Sequence, residues 1–451
     1  MSGEGGKVDL ASILTLMRDA PNATRVAAQP ATRASDPDFE SLPQYKQIAF
    51  QRQFAELAGL VAPYYQLHET RAGAHTVIDG RPLLNFASYD YIGLNGHPEV
   101  VAAAEQAMRD FGTSVSAARI SSGERSVHRA LERGLASVYE AQDCVVFNSG
   151  HAGGVSTVAS LVGPKDLVVV DALIHNCVTM GAKLSGAARR TFPHNDLEAL
   201  DALLGAERKR FERVLIATEG LFSMDGDGPD LARLVEIKER HGCWLMIDDA
   251  HGLGVLGARG LGVHEHQGVD PRRVDIWFGT LSKSLVGCGG YVAGAQALVD
   301  LLKYSAPGFV YSVGMPAPIA AASTKALELM LREPERVARQ QANSRRFFER
   351  AKARGLDVGS AHGHGVIPLI VGETVRTVVL AQRLQEAGIC AFPILPPGVP
   401  EKSARLRFFI TSAHAEAEID RAIDAVADIL AEIGHLNARD FFAMRQNALK
   451  P

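Results

Sequence analysis

The chain has 451 residues, an apolar fraction of 47% and a formal net charge of -4 from 47 basic and 51 acidic side chains. That length exceeds one small core and points to two packed units, while the near balance of charge leaves no electrostatic footprint for nucleic acid or an anionic membrane, so a small-molecule substrate is expected. The cysteines (Cys144, Cys177, Cys243, Cys288, Cys390) are scattered without a C-x-x-C pair, which suggests neither a disulfide framework nor a metal site and reads as reduced thiols in a cytoplasmic protein. The N-terminus lacks the pattern of a signal peptide, and no segment approaches the ~18 apolar residues of a membrane span.

In chain order, residues 8 to 19 carry an amphipathic helical pattern and the Ala/Pro/Thr-rich run to Asp38 reads as a linker, a frayed tail being the plainer account of a terminus. A helical pattern from Tyr45 to Leu60 follows. Apolar runs then alternate with helical patterns: Cys144–Phe147, Leu167–Val170, Arg213–Ala217, Trp244–Ile247 and Ile276–Phe278. Strands that are apolar at every position are covered on both faces, so an α/β fold is predicted, with a mostly parallel central sheet flanked by helices. After Pro316-Ala317-Pro318 a long Ala/Leu/Arg-rich helical pattern runs to about Arg354. Gly365–Val371 and Arg405–Ile410 read as strands of a smaller α+β unit, closed by a helix from Glu416 to about Ile433. The expected domains are residues 1–60, an N-terminal extension and linker helix; 61–320, a large cofactor-binding domain; and 321–440, a small C-terminal domain.

The chemistry-bearing residues each follow an apolar run, where α/β proteins place ligands. Asp248 ends the run Trp244–Ile247, and Lys283 lies in Thr280-Leu281-Ser282-Lys283-Ser284 just past Ile276–Phe278. Together they supply what pyridoxal phosphate needs: an amine to hold the aldehyde as a Schiff base, a carboxylate to keep the pyridine nitrogen protonated, and hydroxyls for the phosphate. A lone Asp is more often a helix cap and a lone Lys a solvated charge; the surrounding hydroxyls and Gly287-Cys288-Gly289-Gly290 argue otherwise. Ser149-Gly150-His151 follows Cys144–Phe147 and opens a helical pattern, so free N–H groups there suit a phosphate, although a simple strand-to-helix turn reads the same way. His175, after Asp171, is placed to stack on the pyridine ring or to be a satisfied buried histidine.

Some motifs point elsewhere. Gly252-Leu253-Gly254-Val255-Leu256-Gly257 matches the dinucleotide fingerprint, but Asp248 to His251 separate it from its strand and Ala258 to Gly262 does not read as a helix, so a nicotinamide cofactor is not expected. His264-Glu265-His266 and His362-Gly363-His364 lack further ligands at metal spacing and read as surface loops, so no metal is expected.

With these residues assembled, the chain resembles the α-oxoamine synthase family of fold-type I pyridoxal-phosphate enzymes from about Phe86 to Ala425, closest to serine palmitoyltransferase-like or polyketide-associated members. Phe86-Ala87-Ser88-Tyr89-Asp90-Tyr91-Ile92-Gly93-Leu94, Asp171 to Asn195, and Thr218-Glu219-Gly220-Leu221-Phe222-Ser223-Met224-Asp225-Gly226-Asp227 carry the likeness. The resemblance implies that His175 stacks on the cofactor ring, Asp248 pairs with its nitrogen, His251 hydrogen-bonds its phenolic oxygen and Lys283 forms the internal aldimine. It places Ser149, Gly150, His151, Thr280 and Ser282 at the phosphate and Ser223 near the ring. It also implies a homodimer with shared active sites, in which Ser312 and Gly314 match a segment reaching the neighbouring subunit's phosphate; Gly314 replaces a small hydroxyl residue there.

Tyr89 stands where the oxononanoate synthases carry Asn, and Asn176-Cys177 replaces Ala-Ser. Leu395 occupies the place of an arginine that holds the amino-acid carboxylate in several members, which leaves Arg407, or failing it Arg405, as the anchor. The activity implied is a decarboxylative condensation of a small L-amino acid (serine, glycine or alanine) with an acyl thioester on coenzyme A or an acyl carrier protein, giving an α-amino ketone. The alternatives are 8-amino-7-oxononanoate synthase within the same family, a fold-type I aminotransferase, and a catalytically silent partner subunit, which is expected to lack the lysine that this chain keeps.

Overall fold

The structure is a computed structural model that describes residues 38–58 and 60–434; the helical pattern over residues 8 to 19 lies outside them. The chain divides into two compact units, one to Leu57 and one from Ala58. In the first, a turn of 3-10 helix, Phe39–Ser41, precedes the helix Pro43–Ala58, close to the predicted bounds.

The second unit opens with a hairpin, β1 (His75–Ile78) and β2 (Arg81–Asn85). Next come β3 (Asp143–Phe147), β4 (Leu167–Asp171), β5 (Ala188–Phe192), β6 (Val214–Glu219), β7 (Trp244–Asp248), β8 (Ile276–Thr280) and β9 (Gly290–Gly294). The last strands are β10 (Val366–Gly372), β11 (Ile389–Cys390), β12 (Phe392–Ile394) and β13 (Ala404–Phe409). The central sheet runs β3-β9-β8-β7-β6-β4-β5. All its neighbours are parallel except β9, which is antiparallel to both β3 and β8. Every residue of β3, β4 and β6 is buried, as their uninterrupted apolar runs require.

Two strands of this sheet lack the apolar signature. In β9, glycines bracket Tyr291-Val292-Ala293, and Gly290 lies so close to the backbone of Gly150 that an added Cβ would stand 2.6 Å from its Cα. In β5 the sequence Ala-Arg-Arg-Thr-Phe alternates in exposure, which suits an edge strand blunted by charge.

The long helical pattern after Pro316 is two helices, Ala317–Arg332 and Pro334–Ala353. Pro334 has no N–H to continue the first and takes the opening turn of the second. β10, β13 and β12 form a small antiparallel sheet, with Pro368 and Phe392 flanking Arg407 in register. β11 pairs in parallel with β2, Ile389 beside Leu84. One apolar cluster accordingly joins Leu84 and Phe86 to Phe347, Phe408 and Ile423. The carboxyl ends of β3, β4, β6, β7 and β8 share one edge of the central sheet, and each leads directly to a candidate site residue.

Candidate active site

β6 ends at Glu219 and β7 at Asp248, and the two are paired in register. β8 passes the chain into the turn that carries Lys283. Asp248 is 6% exposed and Glu219 3%. Burial raises the pKa of both acids. The nearby charge of Asp248 pushes Glu219 further, well above the carboxylate range, while Lys283 and His175 pull Asp248 back. Glu219 is thus the neutral acid of the pair. Burial also depresses the Lys283 amine to about 8, against the attraction of Asp248 and Glu219 and with Arg407 pushing the same way as burial. Lys283 and Asp248 interact electrostatically yet form no ion pair within 4.0 Å. Glu219 Oε2 accepts from Ser223 N–H at 3.3 Å, and Oε1 is buried without a partner. Unpaired buried polar groups of this kind call for a ligand.

His175 caps the helix Asn176–Ser185, its Nδ1 accepting from Cys177 N–H at 3.3 Å with Cys177 Sγ 3.1 Å away. A backbone N–H can only donate, so the neutral ring carries its proton on Nε2. Burial pushes the Cys177 thiol far up, leaving S–H as a second donor to Nδ1. Polar atoms of His175, Cys177 and Asp248 lie within 4.8 Å of one another, which sets the imidazole beside the carboxylate.

His251 follows β7 and is 7% exposed. Burial, then the positive charges of Lys283, Arg407 and His175, holds its pKa well below the ordinary value, so the ring is neutral. Its Nδ1 lies 2.7 Å from Tyr91 Oη, and burial pushes the Tyr91 pKa far up, making the phenol the donor. The free Nε2–H is then a hydrogen-bond donor to a ligand oxygen. Tyr91 was quoted above only as part of a motif; its role is invisible until a segment 160 residues distant in sequence arrives beside it.

β3 runs into the helix Gly150–Leu161, where Ser149 Oγ accepts from Ala152 N–H at 3.2 Å. A Cβ added to Gly150 would stand 3.2 Å from Thr280 Oγ1, so the hydroxyl-bearing turn after β8 lies against that helix start. Thr280 Oγ1 donates to Gly289 O at 2.8 Å and lies 2.8 Å from Ser282 Oγ. His151 Nε2 is 3.2 Å from Asn176 Oδ1, tying the two helix starts together. A helix N-terminus with converging hydroxyls is an anion site.

Arg407 Nη1 donates to Ser223 O at 3.1 Å, which sets Ser223 between Arg407 and Glu219. The Arg407 guanidinium lies 4.6 Å from the centre of the Phe409 ring, and Tyr89 packs edge-on to the same ring at 5.3 Å. Among the described residues Arg407 has no carboxylate partner, its Nε is buried and unpaired, and burial lowers its pKa. Arg405 is committed elsewhere, donating to Asp225 Oδ1 at 2.6 Å and Met224 O at 3.0 Å. Leu395 is half-buried. Gly314 is accounted for by crowding: its N–H donates to Ala117 O at 2.9 Å, and a Cβ would come within 2.8 Å of Val115 and 3.0 Å of Arg119.

His194 escaped the sequence reading altogether. Its Nδ1 donates to Asp171 Oδ1 at 2.9 Å and its Nε2 to Asp227 Oδ2 at 3.0 Å, so it is an imidazolium spanning two buried carboxylates. Burial alone would lower its pKa; the two carboxylates override this and raise it to about 10. Asp171 also accepts from Leu173 and Asn195 N–H, so His194 fixes the loop that leads to His175. His194→Ala strands both acids and is expected to cost about 3–5 kcal/mol. A raised folded-state pKa contributes stability that is complete below ~6.5 and fades as pH rises through about 10. The Tm gap between wild type and variant should therefore be widest near pH 6 and narrow towards pH 10; a gap that widens with pH would contradict this.

The glycine motif is explained by crowding: a Cβ on Gly252 would come within 1.8 Å of the Asp249 carboxylate, one on Gly254 within 2.3 Å of Ser284 Oγ and one on Gly257 within 2.2 Å of the Glu265 carboxylate. The histidine motifs need correction. His264 is not in a surface loop but is 5% exposed in the short helix Val263–Gln267, packed on Tyr139 and Trp277 at 5.5 and 5.3 Å.

A sheet of this topology, with a half-buried lysine after one strand, an acid at the end of its neighbour and an anion cradle beside them, is that of a fold-type I pyridoxal-phosphate transferase. The chain belongs to the aminotransferase class I and II family, whose signature matches residues 81–426, and within it to the α-oxoamine synthases. It is 42% identical over 365 residues to a putative 8-amino-7-oxononanoate synthase of Gloeobacter violaceus, covering 80% of this chain and 92% of that one. The 8-amino-7-oxononanoate synthase of Symbiobacterium thermophilum is 38% identical, covering 84% and 95%. Among solved structures, the Sphingomonas wittichii serine palmitoyltransferase superposes with a TM-score of 0.83 at 26% identity, covering 88% and 98%. A high-resolution structure of SPT with PLP internal aldimine gives 0.84 at 25%, covering 88% and 100%.

Proposed function

We propose that the chain condenses a small L-amino acid, serine, glycine or alanine, with an acyl thioester, releasing carbon dioxide and the free thiol and leaving an α-amino ketone. It is a pyridoxal-phosphate-dependent C-acyltransferase. The observation that carries the amino-acid half is Arg407, a desolvated guanidinium without a counter-ion beside Lys283. A desolvated cation without a counter-ion favours the arrival of an anion, and an α-carboxylate supplies one with bidentate geometry.

The site fits the cofactor: Lys283 and Asp248 do not neutralise each other, Glu219 Oε1 lacks a partner, and the helix start at Ser149, Gly150 and His151 meets Thr280 and Ser282. Pyridoxal phosphate, when bound, supplies an aldehyde for the amine and a ring that accepts electrons from the substrate α-carbon. Lys283 holds the aldehyde and later removes the α-proton. With a pKa of about 8, roughly a tenth of the amine is neutral at pH 7, against about one in three thousand for an ordinary lysine. Asp248 would hold the ring nitrogen, His175 would stack on the ring, His251 would donate to its phenolic oxygen through Nε2, and Ser223 and Tyr89 would flank the substrate between Glu219 and Arg407.

The same reading extends to a homodimer, supported by the outward-facing Tyr311 and Val313, 86% and 49% exposed, in the segment matched to the neighbouring phosphate. The thioester arrives on coenzyme A or an acyl carrier protein. No helix among the described residues is long and apolar enough to cross a membrane, and the free cysteines fit a cytoplasmic location. The identity with 8-amino-7-oxononanoate synthases favours that activity as the second reading.

A panel of glycine, alanine and serine against acyl thioesters, following thiol and carbon dioxide, tests the proposal. One amino acid should release both in equal amounts; transfer of an amino group to a keto acid without thiol would show an aminotransferase instead.

A further inference from the structure

The imidazoles of His266, His362 and His364 meet away from the cofactor site. His266 lies in the last turn of the helix Val263–Gln267, and His362 and His364 in the loop entering β10. That loop is fixed: His362 N–H donates to Gly226 O at 3.0 Å, and Gly363, at φ +80°, packs so closely that a Cβ would stand 3.0 Å from the Phe348 ring. Ring centres of His266 and His364 are 5.1 Å apart and those of His362 and His364 6.3 Å. A metal ~2.0–2.1 Å from each nitrogen holds tetrahedrally placed imidazoles with their centres about 5 Å apart.

The rings open on a cavity of about 290 Å³ walled by Gly220, Leu221, Pro229 and Leu256. Among the described residues, none of the three is hydrogen-bonded or ion-paired through its ring to a protein group. Asp227 accepts from His194 through Oδ2, its Oδ1 being buried without a partner, and Asp230 is the cap accepting from Arg233 N–H at 2.9 Å. A donor set of three imidazoles suits zinc, nickel, cobalt and copper and not magnesium or calcium. The nitrogens are not all within 4.8 Å of one another, so binding requires the exposed His362 ring to turn inward.

We propose that His266, His362 and His364 bind one borderline divalent transition-metal ion, of the zinc class, that clamps the helix Val263–Gln267 to the loop before β10. The fourth position faces the cavity and is open to water. These residues touch none of the groups assigned to the cofactor, so the metal acts on stability, by binding the folded chain alone, and leaves turnover unchanged.

The test uses chelator-treated holoenzyme, so that His175, Cys177 and Asp248 are covered by the cofactor, with Cys288→Ser as the background because that thiol is exposed. Equilibrium dialysis against zinc chloride alone should give a single equivalent per chain and a rise in Tm, with magnesium giving neither. His364→Gln and His362→Gln should each weaken binding by more than ~10-fold, since losing a ligand costs at least as much as losing an outer partner, while keeping the cofactor absorbance of the parent. His266→Gln, outside the fixed loop, repeats the test should either variant lose its fold. Zinc retained at one equivalent by the triple variant, or none taken up by the parent at micromolar zinc, would overturn the proposal.

Discussion

Lys283→Ala is expected to abolish turnover, with kcat down by on the order of 10⁴-fold, the upper range for a positioned proton-transfer group. The protein should also lose the visible absorbance of lysine-bound pyridoxal phosphate while keeping its fold, because the residue lies in a turn after β8 and ends in a site, not in the apolar core. The depressed pKa of about 8 gives a second signature. Capture of added cofactor by cofactor-free wild type should accelerate as pH rises through about 8 and then level off, because only the neutral amine attacks an aldehyde. Stopped-flow absorbance reads this directly. Capture still rising steeply from pH 9 to 10 would place the amine in an ordinary solvated environment and contradict the burial described here.

Arg407→Ala should lower kcat/KM for the amino acid by roughly 30-fold or more, the effect of about 2–5 kcal/mol from leaving a desolvated carboxylate unpaired. The rise should fall on the amino-acid KM, with the KM for the thioester changed by less than about twofold. Arg407→Lys should recover only part of the loss, since an ammonium cannot reproduce the two parallel bonds of a guanidinium. Arg405→Ala separates the two candidates. Its guanidinium is bonded to Asp225 and Met224 O, so that variant should lose stability and keep its amino-acid KM. Steady-state kinetics with each substrate varied in turn decide the matter; an Arg407 variant altered only in its response to the thioester would remove the anchor.

The legible parts of this protein were those in which local sequence and final environment agree. β4, β6 and β7 open with apolar runs because they are covered on both faces, and Asp248 and Lys283 could be assigned because the first closes such a run and the second lies in the turn after one. β9 and β5 were not legible: the first is short and bracketed by glycine for a close backbone approach, the second is an edge strand whose arginines face water. The break at Glu333-Pro334 was readable from the proline but was passed over within a continuous helical pattern. Glu219, Tyr91 and His194 act through partners brought together by the fold, such as Asp248 from the adjoining strand and Asp227 from a distant turn. No local pattern announces such meetings. His266 and His364 show the same limit, since their ring centres, 5.1 Å apart in the structure, come from motifs nearly a hundred residues apart in the chain.

The central claim is that one amine, Lys283, opposite Asp248, holds the cofactor. Borohydride reduction of the holoenzyme followed by peptide mass mapping tests it most directly. The account predicts a pyridoxyl group on the peptide carrying Lys283 and on no other; the label on a different lysine, or no labelled peptide from protein saturated with pyridoxal phosphate, would contradict it.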